Sequence, residues 1–523
     1  MRAPAPASVS ATGSQALAAL GYTPLPFQRE VWQALADGRS GLLHAGTGAG
    51  KTYAVWGGAL GGLRVGGGLQ VLWVTPMRAL AQDTRQALER LAAPVLPGLR
   101  VECRTGDTAS SVKSRQDRQP PEVLITTPES LCVMLSRAEG LAQLRKVQLV
   151  VADEWHELLG SKRGVQLQLA LTALPGTPCV WGISATLADP AQALAVLTHR
   201  QAASPGPAAC LVQAPRDKAV RIDTLLPAEA GRFPWAGHLG LAMLPALVQA
   251  LEGERASLVF TNTRAQTELW YQALLEARPD WAGLIALHHG SLERETREWV
   301  EAAIGSGRLK VVVATSSLDL GVDFSPVARV FQIGSPKGVA RLLQRAGRAG
   351  HQPDGQPRVT LVPTHAFEIA ESLAAQTAVA QGLIEAREPP QAPMDVLVQH
   401  LATRVLGQPL ESQTLWAEVR QAWSYRDLPR TAFDWALRFL SQGGESLQAY
   451  PEFQRLQQDE AGRWQLPDRS QARRHRMAIG TIVSDASVQV PRSTEQALSV
   501  QVSVNHFETE LSGTIPATLE LQA

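Results

Sequence analysis

The sequence predicts an α/β protein: two successive domains, each built on a parallel sheet, followed by a smaller helical domain. Three observations predict it. A short apolar strand near the start runs into a Gly-rich turn that ends in Lys–Thr, "LLHAGTGAGKT" at 42–52. Apolar runs bounded by Thr- and Gly-rich turns then alternate with helical stretches to about residue 380, without a second turn of that kind. Beyond the Pro-rich "GLIEAREPPQAP" at 382–393, the apolar spacing becomes helical and ends in a short hairpin pattern.

At 523 residues the chain exceeds one ordinary domain, and three is the natural division. Apolar content of 45% against 19% charged residues describes a globular chain able to bury several cores. Net charge is only +1, so any nucleic-acid binding must come from local patches. The basic residues lean to Arg, with 7 Lys among 49 and none after Lys337. Arg suits bidentate contact with phosphate, although a compositional bias of the genome accounts for the skew equally well. Cys103, Cys132, Cys179 and Cys210 are far apart. They suggest neither a zinc site nor a disulfide framework, and they are expected to be reduced in a cytoplasmic protein. No run nears the ~18 apolar residues of a membrane span. The opening "MRAPAPASVSATGSQ" is broken by Pro and Ser and is expected to be a disordered tail over 1–20 rather than a signal peptide.

The first domain, expected over 21–215, begins with the Gly-rich turn. Gly46, Gly48 and Gly50 let successive backbone N–H groups turn inward around phosphate oxygens. Lys51 can then reach the β- and γ-phosphates, and the Thr52 hydroxyl can hold Mg²⁺. About a hundred residues later the apolar run "VQLVVA" delivers Asp153 and Glu154 side by side in "DEWHELLG". Acids often stop a strand, and that reading explains one of them. His156–Glu157 also resembles the start of H-E-x-x-H, but Gly160 stands where the second His is needed, so one helix face cannot present two zinc ligands. Paired with a phosphate loop, the two acids gain distinct roles: Asp153 for the metal, Glu154 as the base that positions water.

Further signals follow in order. Gln28, in "TPLPFQREVW", stands where an amide can read an adenine edge. "TPMRALAQD" (75–83), "RTGD" (104–107) and "TTPES" (126–130) each pair a Thr hydroxyl with a turn or helix start, a geometry that binds backbone phosphate. "SAT" (184–186) follows another strand. Each alone reads as a turn; the series points to a nucleic-acid motor.

In the second domain, expected over 216–390, come "LVFTNTR" (258–264), "ALHHGSL" (286–292), "VVVATSSLDLGVDF" (311–324) and "LLQRAGRAGH" (342–351). An α/β domain without its own phosphate loop makes sense if it closes over the nucleotide of the first. Arg348 then reaches the γ-phosphate as an arginine finger, an element worth ~10³–10⁵ in rate.

The ordered set resembles superfamily 2 helicases, and DEWH places it with the DExH type. "DEWHELLGSKRG" is similar to the large helicase-related (Lhr) proteins. "RFPWAGHLGL", "WYQALLEARPDWAGLIALHHGSL", "GSPKGVARLLQRAGRAGH" and "HRMAIGTIVSD" resemble the ligase-associated DEXH-box branch of that family, over roughly residues 20–490. The resemblance implies two tandem RecA-like P-loop domains followed by a winged-helix domain. It also implies an Mg²⁺-dependent ATPase stimulated by single-stranded DNA, which moves 3′ to 5′ and displaces the paired strand of a tailed duplex. The branch name implies a link to an ATP-dependent DNA ligase and so to DNA repair; a monomer is expected. By resemblance, Gln28 is the adenine reader, and Lys51, Thr52, Asp153 and Glu154 serve phosphate, metal and water. His156, Ser184 and Thr186 couple hydrolysis to the nucleic-acid cleft. Gly321, Asp323, Gln344 and Arg348 form the second domain's half of the ATP site. Thr75, Arg78, Thr105, Thr127, Thr261, Ser291 and Thr315 fall in segments that hold the nucleic-acid backbone. Many superfamily members carry a second Arg three positions beyond the finger; here it is His351.

The third domain, expected over 391–490, shows helical spacing at 394–406, 412–423 and 430–441, then a hairpin pattern around D-E-A-G in 453–466. Trp416, Trp423, Phe433, Trp435 and Phe439 recur at helical spacing and are expected in its core. "RSQARRHRMAIG" stacks Arg473, Arg474 and Arg476 on one helix, which suits phosphate contact as well as it suits a solvated face. After about 490 the resemblance fails, and residues 491–523 are expected to be a shortened remnant of a further β-rich domain. Two alternatives to a DNA helicase remain: a helicase on RNA or RNA:DNA hybrid, and an ATP-gated nucleic-acid clamp that does not move.

Overall fold

The computed structural model describes residues 6–202, 206–215, 219–227, 233–235, 237, 239–319, 324, 326–350, 356–443, 454–466, 469–480, 487–488 and 502–503. Seven strands form the first sheet: β1 (Gly41–His44), β2 (Val71–Val74), β3 (Val101–Arg104), β4 (Val123–Thr126), β5 (Leu149–Ala152), β6 (Cys179–Ser184) and β7 (Cys210–Gln213), in the order β3-β4-β2-β5-β6-β1-β7. All neighbours are parallel. β2, β4 and β5 are buried throughout, the mark of a parallel sheet covered on both faces.

One covering layer contains Trp32, Trp56, Trp73 and Trp181, the other Trp155 among Leu and Val. Each of these indole N–H groups finds an acceptor, so the large rings are buried without an orphaned donor. Residues 6–19 correct the expected disordered tail. They form a helix whose Ala16 and Leu17 are fully buried beside the helix that follows β1. Pro and Ser early in that stretch hid an apolar contact that only the folded domain supplies.

The second sheet runs β10-β11-β9-β12-β13-β8, again all parallel. Its strands are β8 (Arg221–Thr224), β9 (Ser257–Phe260), β10 (Ile285–His288), β11 (Val311–Ala314), β12 (Arg329–Ile333) and β13 (Arg358–Val362). In both sheets the loops singled out by sequence leave the carboxyl ends of strands, where open α/β sheets place their ligands.

The third unit has helices Met394–Gly407, Ser412–Val419 and Arg430–Gln442, then a hairpin pairing Gln457–Gln458 with Trp464–Gln465. Asp459 closes its turn by accepting the N–H groups of Ala461 and Arg463. This is a winged helix. It packs on the first lobe: Val165 and Leu169 of the helix Lys162–Thr172 share one core with Val396, Leu397 and Leu401. Three aromatics expected in that core lie elsewhere: Trp423 is half-buried against a core of the first lobe. Trp435 and Phe439 are exposed and stack on each other at 5.3 Å, because positions 433, 436, 437 and 440 take the buried face.

Candidate functional site

Topology sets the site. β6 lies between β1 and β5, with His44 in register with Ser184 and Ala152 with Gly182. The phosphate loop, the SAT segment and the DEWH segment therefore emerge side by side. Gly48 (φ 76°) and Gly50 (φ 81°) take the left-handed conformation that the loop needs before the helix Lys51–Leu60. Lys51 is buried, and its amine rests on the Gly46 carbonyl at 2.8 Å. Burial lowers its pKa, partly offset by the nearby Glu154 and Asp153 carboxylates. Thr52 is half-buried at the first turn of the helix.

Asp153 is buried and accepts the Trp73 indole N–H at 2.9 Å and the Glu154 backbone N–H at 3.0 Å. Burial and the Glu154 charge push its pKa well above the usual carboxylate range. Glu154 stands in the left-handed region (φ 45°, ψ 48°), uncommon for a residue with a side chain and a conformation stored at functional sites. Its Oε2 is buried without a hydrogen-bond partner. Two crowded carboxylates and an orphaned oxygen are a donor set that a divalent cation and a water would satisfy. The residues thus fit Mg²⁺, which Asp153 and Thr52 would hold.

The two lobes meet here. His156 is fully buried, with Nδ1 3.0 Å from Ser184 Oγ and 3.5 Å from Glu154 Oε2. From the helix Val339–Ala346 of the second lobe, Gln344 brings its amide nitrogen to 2.6 Å from His156 Nε2, 3.0 Å from Glu157 Oε1 and 3.2 Å from Thr186 Oγ1. An amide donating to Nε2 leaves the imidazole proton on Nδ1, facing Ser184. Burial lowers the His156 pKa, so this ring is neutral. Burial alone would raise Glu157, but Arg387 holds it below the usual value.

Arg348 is buried near enough to Lys51 to lower that amine's pKa. Its neighbour Gly347 lies against Thr47 of the phosphate loop, where an added Cβ would come within 2.9 Å. Gln28 is placed beside the loop, but both ends of its amide are engaged: Nε2 donates to the Gly50 carbonyl at 3.2 Å and Oε1 accepts the Leu25 N–H at 2.9 Å. In this arrangement Gln28 braces the loop; an adenine would have to displace one of those bonds. Gly321 and Asp323 lie outside the described residues, as does His351.

The backbone-holding segments gather at the carboxyl ends of both sheets, but most of their hydroxyls point inward. Thr75 is fully buried and donates to the Met77 carbonyl; Thr105 accepts the Asp107 N–H; Thr127 caps its helix by accepting the Ser130 N–H. Thr261 is bonded to Thr263 and Thr267, Thr315 to Ser317, and the exposed Ser291 to Arg264. These side chains shape the turns, and the backbone N–H groups of Thr75, Thr105, Thr261 and Thr315 are engaged as well, donating to Thr126, Thr108, Ala314 and His288. Arg78 is the exposed cation of the set, paired to Asp107 at 2.7 Å. An ion pair in water is worth about 0–1 kcal/mol, so a phosphate can replace it.

The basic cluster divides. Arg473 and Arg474 are exposed on the helix Arg469–Ala478, but Arg476 turns back onto the first lobe and donates to the Ser136 carbonyl at 2.7 Å and its hydroxyl at 3.0 Å. Its expected phosphate contact is corrected to a packing role. Three participants are not among the expected site residues. Trp73 and Arg387 carry no signal of their own, the second lying in the Pro-rich linker, and Glu157 enters only through the H-E-x-x-H resemblance that Gly160 excludes. No helix among the described residues is long and apolar enough to cross a membrane.

Family models match the chain in the same order as its three units. They describe a DEAD/DEAH box helicase over residues 25–194, a helicase conserved C-terminal domain over 241–352, and the winged helix domain of large helicase-related protein over 377–500. The ATP-dependent helicase Lhr-Core protein 2 of Thermococcus barophilus is 31% identical over 491 residues, 89% of this chain and 56% of that protein. The Lhr helicase/uracil glycosylase of Escherichia coli is 32% identical over 487 residues, 80% of this chain and 31% of that protein. The chain thus spans only about a third to a half of the length of these curated relatives. The structure of the Mycobacterium smegmatis helicase Lhr bound to ssDNA and AMP-PNP aligns with 93% of this chain and 64% of that one, at 31% identity and a TM-score of 0.81.

Proposed function

Because this chain belongs to the Lhr family of superfamily 2 helicases, we propose that it is an ATP-driven translocase and helicase that moves 3′ to 5′ on single-stranded DNA. The observation that carries the reading is the contact of Gln344 with His156, Glu157 and Thr186. One amide of the second lobe joins the acid segment and the SAT segment of the first, so lobe closure and the state of the ATP site are one event. That is what a motor requires and a simple ATPase does not. The bound single-stranded DNA and AMP-PNP of the mycobacterial relative support the ligand assignment. Polarity and a role in DNA repair are what the family resemblance implies.

In this mechanism the loop N–H groups and Lys51 grip the phosphates, with Lys51 released from the Gly46 carbonyl. Bound Mg²⁺ would supply charge neutralisation on the phosphates. Glu154, its Oε2 unengaged, orients the attacking water and takes its proton. His156 stays neutral, its Nδ1 bonded to Ser184 Oγ at 3.0 Å. Arg348 brings positive charge from the second lobe to the transferring phosphate. Closure moves the loops at the carboxyl ends of the second sheet relative to those of the first, and the strand held by both is passed along.

The test is ATP hydrolysis by the 523-residue chain without nucleic acid, with single-stranded DNA and with RNA of the same sequence, beside Lys51→Ala. Strand displacement from a 3′-tailed duplex is measured in parallel. The reading expects DNA-stimulated turnover that Lys51→Ala abolishes, and displacement of the paired strand. Stimulation by RNA alone would move the substrate to RNA. ATP binding without stimulation or displacement would replace the motor with a clamp.

A further inference from the structure

Residues 382–393, which read as a linker, make specific contacts with both halves of the ATP cleft. Glu385 accepts the Val339 N–H at 3.0 Å and the Ala340 N–H at 3.1 Å. Its carboxylate thereby caps the helix whose last turns carry Gln344, a favourable place for negative charge. Two residues on, Arg387 crosses to the first lobe. It donates to the His156 carbonyl at 2.5 Å and lies 3.4 Å from Glu157 Oε1. His156 and Glu157 sit on the five-residue helix Trp155–Leu159, too short to satisfy its own carbonyls, and Arg387 is the cation at its carboxyl end.

Glycines from both lobes seat the segment. A Cβ at Gly160 would come within 3.1 Å of the Arg387 Cβ, and one at Gly338 (φ 127°) would run into the Glu385 carboxylate. Between these anchors the segment borders a small cavity with Thr186, Asp189 and Ala340. It then enters the winged helix, which is fastened to the first lobe: Tyr425 donates to the Pro393 carbonyl, Ala392 donates to the Ser424 carbonyl, and Lys162 pairs with Asp395 at 3.0 Å. The chain therefore passes from the second lobe to the winged helix through the one place where Gln344 meets His156.

We propose that residues 385–387 are a strap that sets this closure, with Glu385 and Arg387 as positioning residues. Glu385 aims the Gln344 helix, and Arg387 fixes the DEWH helix and Glu157, so Gln344 finds both partners only when the strap is seated. The strap is also the route by which a displacement of the winged helix, as by a strand bound there, reaches the ATP site.

The test begins with hydrogen–deuterium exchange on the full chain, which needs no activity. Arg387→Met should raise amide exchange at least about fivefold in both 157–161 and 339–346 while leaving the sheet strands protected. Arg387→Lys should restore much of that protection, and Glu385→Gln should loosen 339–346 most. Unchanged exchange in either segment after Arg387→Met, or an equal rise everywhere, overturns the strap. The kinetic arm rests on the ATPase reading above. Arg387→Met should lower strand-stimulated kcat about tenfold, with KM for ATP within about twofold, as loss of one charged hydrogen bond predicts. In a Gln344→Ala background it should cost less than about twofold more, because both changes break one set of interactions. Full additivity overturns the proposal. A wild-type chain that hydrolyses no ATP sinks the motor reading and leaves the exchange result to decide the strap.

Discussion

Removing the Gln344 amide is the sharpest perturbation of the proposed motor. Gln344→Ala deletes a side chain that is 3% exposed and takes a donor from the buried His156 Nε2, at 2.6 Å, the half-buried Glu157 Oε1, at 3.0 Å, and the buried Thr186 Oγ1, at 3.2 Å. Glu157 keeps Arg387 at 3.4 Å and loses only part of its support; His156 Nε2 loses its lobe-two donor. An unsatisfied buried acceptor costs roughly 1–3 kcal/mol and a charge-assisted bond is worth about 1.5–3, so the closed state should lose ~2–4 kcal/mol. If hydrolysis occurs only in the closed state, saturating strand-stimulated turnover should fall by ~30- to ~1000-fold, with nucleotide binding to the open first lobe little changed. Gln344→Glu keeps the shape but sets a carboxylate against Glu157. It should be at least as damaging at pH 8 and should recover as acid supplies one shared proton. The assay is steady-state ATP hydrolysis against pH, with nucleotide affinity measured separately. Turnover of Gln344→Ala within about threefold of wild type would refute the claim that this contact gates hydrolysis.

Glu154→Gln should retain ATP binding and lose nearly all turnover, because the buried, unpartnered Oε2 is the group placed to take a proton; turnover within a few-fold of wild type would remove Glu154 as the base. Alanine at Arg473 and Arg474 should flatten the salt dependence of strand binding by up to ~0.7 for each phosphate that is no longer neutralised. Arg476→Ala should leave that slope alone and lower the melting temperature instead, since its guanidinium is bonded to Ser136. His475 donates to or accepts from Thr403 at 2.8 Å, and burial, with Arg455 and Arg476 nearby, pushes its pKa down to about 4. The unfolded chain takes up its proton near pH 6.5 and the folded one near 4. Stability should hold above pH 6.5, fall by about 3 kcal/mol as pH drops to 4, and flatten below. Thermal melts of wild type and His475→Gln across that range should differ in slope by this amount.

Much of this molecule is legible residue by residue because its constraints are local. A phosphate loop needs glycines in the left-handed region immediately before a helix, and "GTGAGKT" states that requirement in order. Strands buried on both faces need unbroken apolar runs, so "VLWV", "VLIT" and "LVVA" stand out. Paired acids at a strand end gain meaning beside such a loop. The inward-turned threonines are legible only in part: spacing marks their segments, but a hydroxyl's partner is chosen by loop conformation, which spacing does not encode.

The sequence alone determined the α/β architecture and the order of its motifs, and it marked Lys51, Asp153, Glu154 and Arg348 as candidates, since each motif is written within a few positions. Only the tertiary structure decided that Gln344 meets His156, that Trp73 braces Asp153, that Arg476 serves packing, and that a Pro-rich linker grips both lobes. Those contacts join residues 80 to 340 positions apart. No local pattern records such a meeting, because it forms only when distant strands pair within one lobe, as for Trp73 and Asp153, or when one unit docks on another.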